Sequence, residues 1–239
     1  MQKAEATVRG APILEVIACS VSDAIEAQRG GAGRLEIIRD FQRGGLTPSL
    51  KLVQDILDAV TLPVRVMVRE GDCYEVAGEV EREKLGAAAR RLSGLNVDGV
   101  VLGFLRKGKI DVRLTEWVLS CTPNLKATFH HAFEESEDPF EAIRVLKRLK
   151  QVDRILTCGG TGEWSEKIKQ LSRYQEEVGP EIEVIAGGGI DQPSIRMICQ
   201  ATAIREFHVG RAAREPAAAT GVVRSERVKA LVETAQESC

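Results

Sequence analysis

The sequence lacks the features that mark several classes of protein. Lys and Arg number 33 against 35 Asp and Glu, a formal net charge of −2, so no basic excess favours binding to a nucleic-acid backbone or an anionic membrane. No charge-free apolar run approaches the ~18 residues that a membrane span needs. The first ten residues include Lys3, Glu5 and Arg9 and have no apolar centre, unlike a secretory signal. We therefore expect a cytoplasmic protein with no nucleic-acid or membrane partner.

Closely spaced cysteines are also absent. The six cysteines are scattered, and none forms a Cys-x-x-Cys pair, which excludes a locally encoded zinc knuckle or thioredoxin-type site. A chain of 239 residues can bury enough surface to fold without disulfides. Disulfides are rare in cytosolic proteins. The sequence thus predicts mostly free thiols.

What the sequence does contain is a regular alternation of short apolar runs with amphipathic segments. Apolar runs of four to seven residues without polar alternation are typical of strands buried on both faces of a parallel sheet. Helix starts are predicted between them at Thr47-Pro48, Asp111, Asp138-Pro139 and Asp191. The runs cover residues 13–18, 34–38, 64–69, 99–105, 127–130, 154–157, 183–186 and 206–209.

Eight strand–helix units in 239 residues match the size of an α/β protein of the TIM-like (β/α)8 barrel type. An open doubly wound sheet is the alternative, but no G-x-G-x-x-G follows the first run, which favours a closed barrel. No linker rich in Pro, Ser or Gly divides the chain. We expect one domain over residues 13–239, preceded by an N-terminal tail of residues 1–12.

Charged residues inside apolar strands indicate the site, because a buried unpaired charge is costly. The first two runs share the pattern Leu-Glu-apolar-apolar, so we expect Glu15 and Glu36 to lie side by side. Arg69 ends the third run and is predicted to be the cation between them. His130 and His208 end the fifth and eighth runs. Two interpretations stay open: a buried ion-pair network that closes the barrel, or a catalytic pocket with glutamate as acid/base, histidines as proton shuttles and Arg69 holding an anion.

Glycine-rich turns follow the last strands. Gly187, Gly188 and Gly189 precede the helix that starts near Asp191, and Gly210 with Arg211 follows the eighth run. Barrels often bind a phosphate on main-chain amides at these two loops. The turns therefore predict a phosphate- or cofactor-binding site, although such glycines can also serve only to make tight turns.

A metal site is the next alternative. Cys19 ends the first run and Cys158 the sixth, and thiolate with imidazole suits Cu(I) or Zn. The spacing gives no complete ligand set. His131 points away from His130 and is predicted to be an ordinary loop residue.

Short motifs along most of the chain carry a family resemblance. They include Leu14-Glu15-Val16, Gly44-Gly45-Leu46-Thr47-Pro48, Val66-Met67-Val68-Arg69, Thr128-Phe129-His130, Asp153-Arg154-Ile155, Gly187-Gly188-Gly189-Ile190 and Glu206-Phe207-His208. In this order, over residues 13–208, the chain resembles the CutC copper homeostasis family. The resemblance implies a cytoplasmic TIM-like barrel, often a homo-oligomer, with a role in copper homeostasis or copper binding.

The chain departs from the family pattern at two positions that matter for copper. The family has cysteines, the obvious Cu(I) ligands, where this chain has Ile17 and Ile38. Cys19 and Cys158 remain as replacement ligands. Two main functions stay open: a copper-binding homeostasis factor, or a TIM-barrel enzyme of isomerase or aldolase type acting on a small anionic or phosphorylated metabolite. A barrel that works only through its surface is the third alternative.

Overall fold

The computed structural model describes residues 10–239, so most of the expected N-terminal tail, residues 1–9, lies outside the described residues. Eight parallel strands form a closed barrel in which each strand pairs with the next and the last pairs with the first. The expected TIM-like (β/α)8 barrel is confirmed. The strands are β1 (Ile13–Ala18), β2 (Arg34–Ile37), β3 (Val64–Met67), β4 (Gly99–Leu102), β5 (Lys126–Phe129), β6 (Val152–Thr157), β7 (Glu183–Ala186) and β8 (Glu206–Val209).

A helix follows every strand and covers the outside of the barrel. Two short antiparallel ribbons, Leu105–Arg106 with Lys109–Ile110 and Arg214–Glu215 with Val222–Val223, lie in the connections after β4 and β8. No helix within residues 10–239 is both long and apolar enough to cross a bilayer. The helices are α1 (Val21–Arg29), α2 (Leu50–Ala59), α3 (Glu79–Leu92), α4 (Val112–Ser120), α5 (Pro139–Leu146), α6 (Trp164–Val178), α7 (Gln192–Ala201) and α8 (Ser225–Ser238).

Most predicted helix starts agree with the structure, and one is wrong. The confirmed N-caps are Asp111, Asp138 and Asp191. Helix α2, however, begins at Leu50 with Ser49 as its N-cap. The hydroxyl of Thr47 instead accepts from the Arg69 amide and donates to the Arg69 carbonyl, both at 2.9 Å. Thr47 thus ties the loop after β2 to the end of β3, which leaves it outside the helix.

Apolar side chains form two separate cores. The larger one lies between the strands and the helices. The smaller one lies inside the barrel and consists of Ile17, Ile38, Met67 and Val101. Because the strands alternate their side chains between the two cores, the inward residues decide what the barrel interior can bind.

The expectation of free thiols is wrong for one pair of cysteines. Cys199 in α7 and Cys239 after α8 form a disulfide, with their Cα atoms 4.9 Å apart. Closure of the barrel brings the last helix against α7, so two residues 40 apart in sequence become neighbours. The other four, Cys19, Cys73, Cys121 and Cys158, are free.

Candidate functional site

The N-terminal half of the barrel interior holds a network of salt bridges. Arg34 on β2 donates from Nε to Glu15 and from Nη2 to Glu206 Oε2 at 2.6 Å. Arg154 on β6 binds the same Glu206 through two hydrogen bonds of 2.8 and 2.9 Å. Glu15 and Arg34 are 1% and 3% exposed. Buried charges at this depth are tolerated because each has a partner.

Arg65 on β3 extends this network across the barrel. Its guanidinium binds both carboxylate oxygens of Asp153 at 2.7 and 2.8 Å and reaches Asp98 at 2.9 Å. It also donates to the Thr128 hydroxyl on β5 at 2.7 Å. These contacts fill the N-terminal half of the barrel with paired charges. A buried ion-pair network therefore exists, but its cations are Arg34, Arg65 and Arg154, and Glu36 has no arginine partner in it. The network leaves the C-terminal end of the strands as the open end.

The predicted role of Arg69 in this network is wrong, because Arg34 is the cation that binds Glu15. The pairing register sets Glu15 of β1 against Arg34 of β2. Arg69 lies beyond the last residue of β3, at the C-terminal mouth of the barrel. Its guanidinium donates to three main-chain carbonyl oxygens, those of Arg43, Gly45 and Asp72.

His208 lies between the two predicted glutamates. Its Nδ1 is 2.8 Å from Glu15 Oε1, and its Nε2 is 3.6 Å from Glu36 Oε2. Strand register explains the first contact, since Glu15 of β1 is paired with His208 of β8. All three side chains are buried. The three side chains therefore share the barrel interior, but the expected side-by-side placement of the two glutamates is wrong. The register sets Glu15 against Arg34 and Glu36 against Ile17, and His208 lies between the two carboxyl groups.

The two carboxyl groups have opposite pKa shifts. Burial acts to raise the pKa of Glu15, but Arg34 and His208 outweigh it and hold that pKa far below its usual range. Burial raises the pKa of Glu36 to about 7, because no arginine binds it and Glu15 is a nearby negative charge. Burial acts to lower the pKa of His208, yet its two carboxylate neighbours raise it. Glu36 is therefore the carboxyl group that can take up or release a proton near neutral pH, while Glu15 stays ionised.

A cavity of about 410 Å³ opens at the C-terminal end of the strands, above this group. Glu15 lies beneath it, in the salt-bridge layer. Gly187 lies behind the wall of the cavity. The Gly187 amide donates to Thr157 O, and a Cβ added at Gly187 would lie 2.5 Å from the Leu156 side chain. Eight of the predicted site residues line the cavity, namely Glu36, Arg69, His130, His208, Gly188, Gly189, Gly210 and Arg211.

His130 enters the cavity as a neutral ring. Its Nδ1 accepts a hydrogen bond from the Ala132 amide at 3.2 Å. Burial, together with the positive charge of Arg69, lowers the pKa of His130 to about 3. The ring therefore stays uncharged at physiological pH, and this argues against a role as a proton shuttle.

Glycines shape two sides of the cavity. Gly188 and Gly189 have φ values of +73° and +100°, which favour glycine. A Cβ on Gly188 would lie 2.6 Å from the Cβ of Cys158, and a Cβ on Gly210 would lie 2.3 Å from the Phe41 ring. Gly188 is therefore needed where two turns pack closely, and Gly210 where the Phe41 ring forms the cavity wall.

Sequence reasoning missed one histidine of the cavity. His131, predicted to be an ordinary loop residue, lines the cavity because the short 3-10 turn His131–Glu135 turns back over the barrel mouth. Its Nδ1 lies 3.4 Å from Glu134, whose other oxygen accepts from the Thr157 hydroxyl at 2.8 Å. No signal in the sequence marks Glu134 as the residue that connects this turn to the end of β6.

The predicted thiol ligands do not form a metal site. Burial raises the pKa of Cys19 and of Cys158 to about 11, which disfavours the thiolate that a metal binds. Their sulfur atoms contact different groups, Arg214 in one case and Gly160 O in the other. Within the part of the chain that the structure describes, no three His, Cys, Asp or Glu side chains are placed to hold a metal. The donors present therefore do not fit a thiolate copper centre.

The two positions at which the family resemblance implies cysteines also offer no metal ligand in this chain. Ile17 and Ile38 lie in the small apolar core inside the barrel with Met67 and Val101. These isoleucines fill with hydrocarbon the place that two thiols would occupy. Copper binding by paired thiols therefore does not carry over from the family pattern.

Comparisons with known proteins agree with the resemblance seen in the sequence. The model of the CutC family matches residues 12–213. The copper homeostasis protein cutC homolog of Homo sapiens is 34% identical over 199 residues, which cover 82% of this chain and 72% of that protein. A family protein CutC of Mesorhizobium japonicum is 33% identical over 198 residues, or 82% of this chain and 76% of that protein. A crystal structure of the copper homeostasis protein CutC of Streptococcus agalactiae superposes with a TM-score of 0.77 at 27% identity, covering 83% of this chain and 98% of that one. The chain therefore belongs to the CutC family.

Proposed function

We propose that this chain serves in copper homeostasis in the cytoplasm, and that the cavity at the barrel mouth is the site at which it acts. Membership of the CutC family, whose relatives are named copper homeostasis proteins, supports the role. The convergence of titratable side chains from β2, β5 and β8 on one cavity supports the choice of site. In a TIM barrel the C-terminal end of the strands is where ligands bind.

At this site we infer binding of a small anionic ligand and acid/base chemistry upon it. The observation that carries the inference is the placement of His208 between an ionised Glu15 and a Glu36 whose pKa is raised to about 7. A base that titrates near neutral pH suits proton transfer. Arg69 and Arg211 line the same cavity and favour a negatively charged ligand.

The test of anion binding is calorimetric titration with glycerol 3-phosphate. Arg211→Ala removes a cavity arginine, and we expect about tenfold weaker binding, the loss of one charged hydrogen bond. Arg196→Ala is the matched control, because it removes the same charge from an exposed position on α7 away from the cavity. Binding that is absent in the wild type, or equally weakened by both substitutions, would contradict an anion site.

Binding of copper(I) as cargo is the second candidate. The three histidines do not form a metal site as they stand within the described residues. They line the cavity together with Met67, however, and thioether with imidazole suits a soft metal. The test is anaerobic titration with Cu(I) against a competing chelator. Sub-micromolar binding lost in Met67→Leu supports the cavity donors, and loss in Cys19→Ser or Cys158→Ser supports the thiols. No competition above background would reject copper binding.

We also propose that residues 13–239 form the single functional domain and that copies of the chain form a homo-oligomer, as the family resemblance implies. Light scattering of the purified protein measures the second point directly. A mass near 26.1 kDa would show a monomer and contradict it.

A further inference from the structure

Three buried polar atoms without a hydrogen-bond partner belong to side chains that line the cavity. Within residues 10–239, Glu36 Oε1, Arg69 Nε and His130 Nε2 make no hydrogen bond. The exposed fractions of these three residues are 3%, 7% and 3%. Buried polar groups in proteins are almost always partnered, so atoms left unpaired at one cavity indicate a ligand that supplies the partners.

The contacts of His130 fix which hydrogen bond its ring can offer. Because Nδ1 accepts from the Ala132 amide, Nδ1 carries no proton, and the proton of the neutral ring is on Nε2. Tyr74 packs on the ring with centroids 5.1 Å apart, and Gly103 leaves room for it, since an added Cβ there would lie 2.5 Å from the imidazole. His130 therefore presents an oriented N–H donor.

Arg69 presents a second such donor. Its two terminal nitrogens are held by main-chain carbonyl oxygens of the loops after β2 and β3, and Thr47 fixes its backbone. Its guanidinium also lies over the Tyr74 ring at 4.9 Å. Both terminal nitrogens already donate to carbonyl oxygens, whereas Nε has no partner, so Nε–H is the donor of Arg69 that a ligand would satisfy.

The third unpartnered atom belongs to a base. Glu36 Oε2 faces His208, and Oε1 is free to contact a ligand. Glu36 lies on β2, three strands around the barrel from His130 at the end of β5. The cavity thus has a proton acceptor on one strand and oriented donors on others, the arrangement that stabilises an oxyanion while a proton is removed.

Building on the proposed anion site, we propose that the ligand is a small anionic carbonyl compound. Its carbonyl oxygen accepts hydrogen bonds from His130 Nε2 and Arg69 Nε, and Glu36 removes a proton from the adjacent carbon. Glu36 is the base, and His130 is a catalytic donor that never changes its charge. A neutral imidazole can polarise a carbonyl in this way.

The step balances without a further reactant. The C–H bond breaks and its electron pair forms a C=C bond, while the π electrons of the carbonyl move to the oxygen. The proton moves to the carboxylate of Glu36, and the enolate oxygen is held by the two N–H donors. Return of the proton to the same carbon gives exchange with solvent, and its return to the neighbouring carbon of a hydroxycarbonyl compound gives isomerisation, with the hydroxyl proton moving between the oxygens.

The experiment uses dihydroxyacetone phosphate, a small phosphorylated carbonyl compound, in D2O. Proton NMR follows replacement of its carbon-bound hydrogen by deuterium above the protein-free rate. We expect exchange with the wild type and a loss of at least about 100-fold in Glu36→Gln, which also controls for contaminating enzymes because it is purified identically. His130→Phe keeps a ring but removes the donor, and we expect a loss of about 100-fold. His130→Gln restores an N–H donor and should recover at least about tenfold over His130→Phe.

Glycerol 3-phosphate, which has the same charge but no carbonyl, separates the two proposals and reports whether each variant is folded. Binding of glycerol 3-phosphate without exchange of dihydroxyacetone phosphate overturns the carbonyl inference and leaves the anion site standing. Absence of binding of either compound overturns the anion site itself. Equal exchange rates in His130→Phe and His130→Gln, with retained glycerol 3-phosphate binding, overturn the donor role of His130.

Discussion

Replacing Arg34 with methionine tests whether the barrel interior depends on a buried cation. Arg34 donates to Glu15 and to Glu206, and both carboxylates are buried. Methionine keeps an unbranched, apolar side chain that ends near the position of Nε, so the change removes the guanidinium group with its charge and its hydrogen bonds. Breaking a buried ion pair from one side costs ~3–5 kcal/mol, because the partner stays buried without its counter-charge. Glu206 keeps Arg154, whereas Glu15 keeps only His208.

The destabilisation should also depend on pH. Arg34 is the strongest favourable influence on Glu15, whose pKa it helps to hold below the ordinary value of 4.5. A carboxyl with a lowered folded-state pKa contributes stability above its unfolded pKa and loses it as the pH falls. The difference between wild type and Arg34→Met should therefore be largest near pH 7 and should shrink as the pH falls below ~4.5.

Equilibrium unfolding in urea, followed by circular dichroism, measures both effects. Arg29→Met is the matched control, because Arg29 is exposed and its pair with Glu26 lies at the surface, where ion pairs contribute little to stability. A double variant with Glu15→Gln should lose less than the sum of the single losses, since the two residues are in contact. A loss in Arg34→Met of under ~1 kcal/mol at pH 7, or a loss that does not shrink in acid, would refute the reasoning.

Four further predictions concern the cavity and the disulfide. Burial raises the pKa of Glu36 from 4.5 to about 7, so the wild type loses stability as the pH rises through this range. In urea unfolding, the free energy of unfolding of Glu36→Gln relative to that of the wild type should therefore increase from pH 5 to pH 8, by no more than ~3 kcal/mol. The same difference at both pH values would contradict this. Gly210→Ala places a Cβ 2.3 Å from the Phe41 ring and should push it into the cavity, so calorimetry should show weaker binding of glycerol 3-phosphate; unchanged affinity would show that the ring yields elsewhere. A bond between Cys199 and Cys239 leaves four thiols titratable in the denatured, unreduced protein, and six reactive thiols would contradict it. Cys239→Ser should lower the free energy of unfolding by ~2–4 kcal/mol in denaturant titration, the entropy of a loop of 40 residues.

The sequence by itself determined the fold and the inward direction of the main polar side chains. Apolar runs such as Leu14 to Ala18 show no polar alternation, and only strands covered on both faces bury such runs, so a parallel barrel was predicted and found. Within a run the side chains alternate between faces, so a glutamate in the first and second runs and a histidine in the eighth had to face inward together. Glu15, Glu36 and His208 do so.

Tertiary structure decided which of these groups are partners. Arg34 rather than Arg69 binds Glu15, because the stagger of neighbouring strands in a closed barrel sets the register, and no single strand encodes it. Tertiary structure also decided the disulfide and the place of His131. The disulfide depends on the packing of α8 against α7, and His131 lines the cavity because of the position of the turn His131–Glu135. Periodicity is a local property that the chain carries in its sequence. Contacts between distant strands depend on the closure of the whole barrel, and they alone give Glu36 a raised pKa and leave His130 with a free N–H.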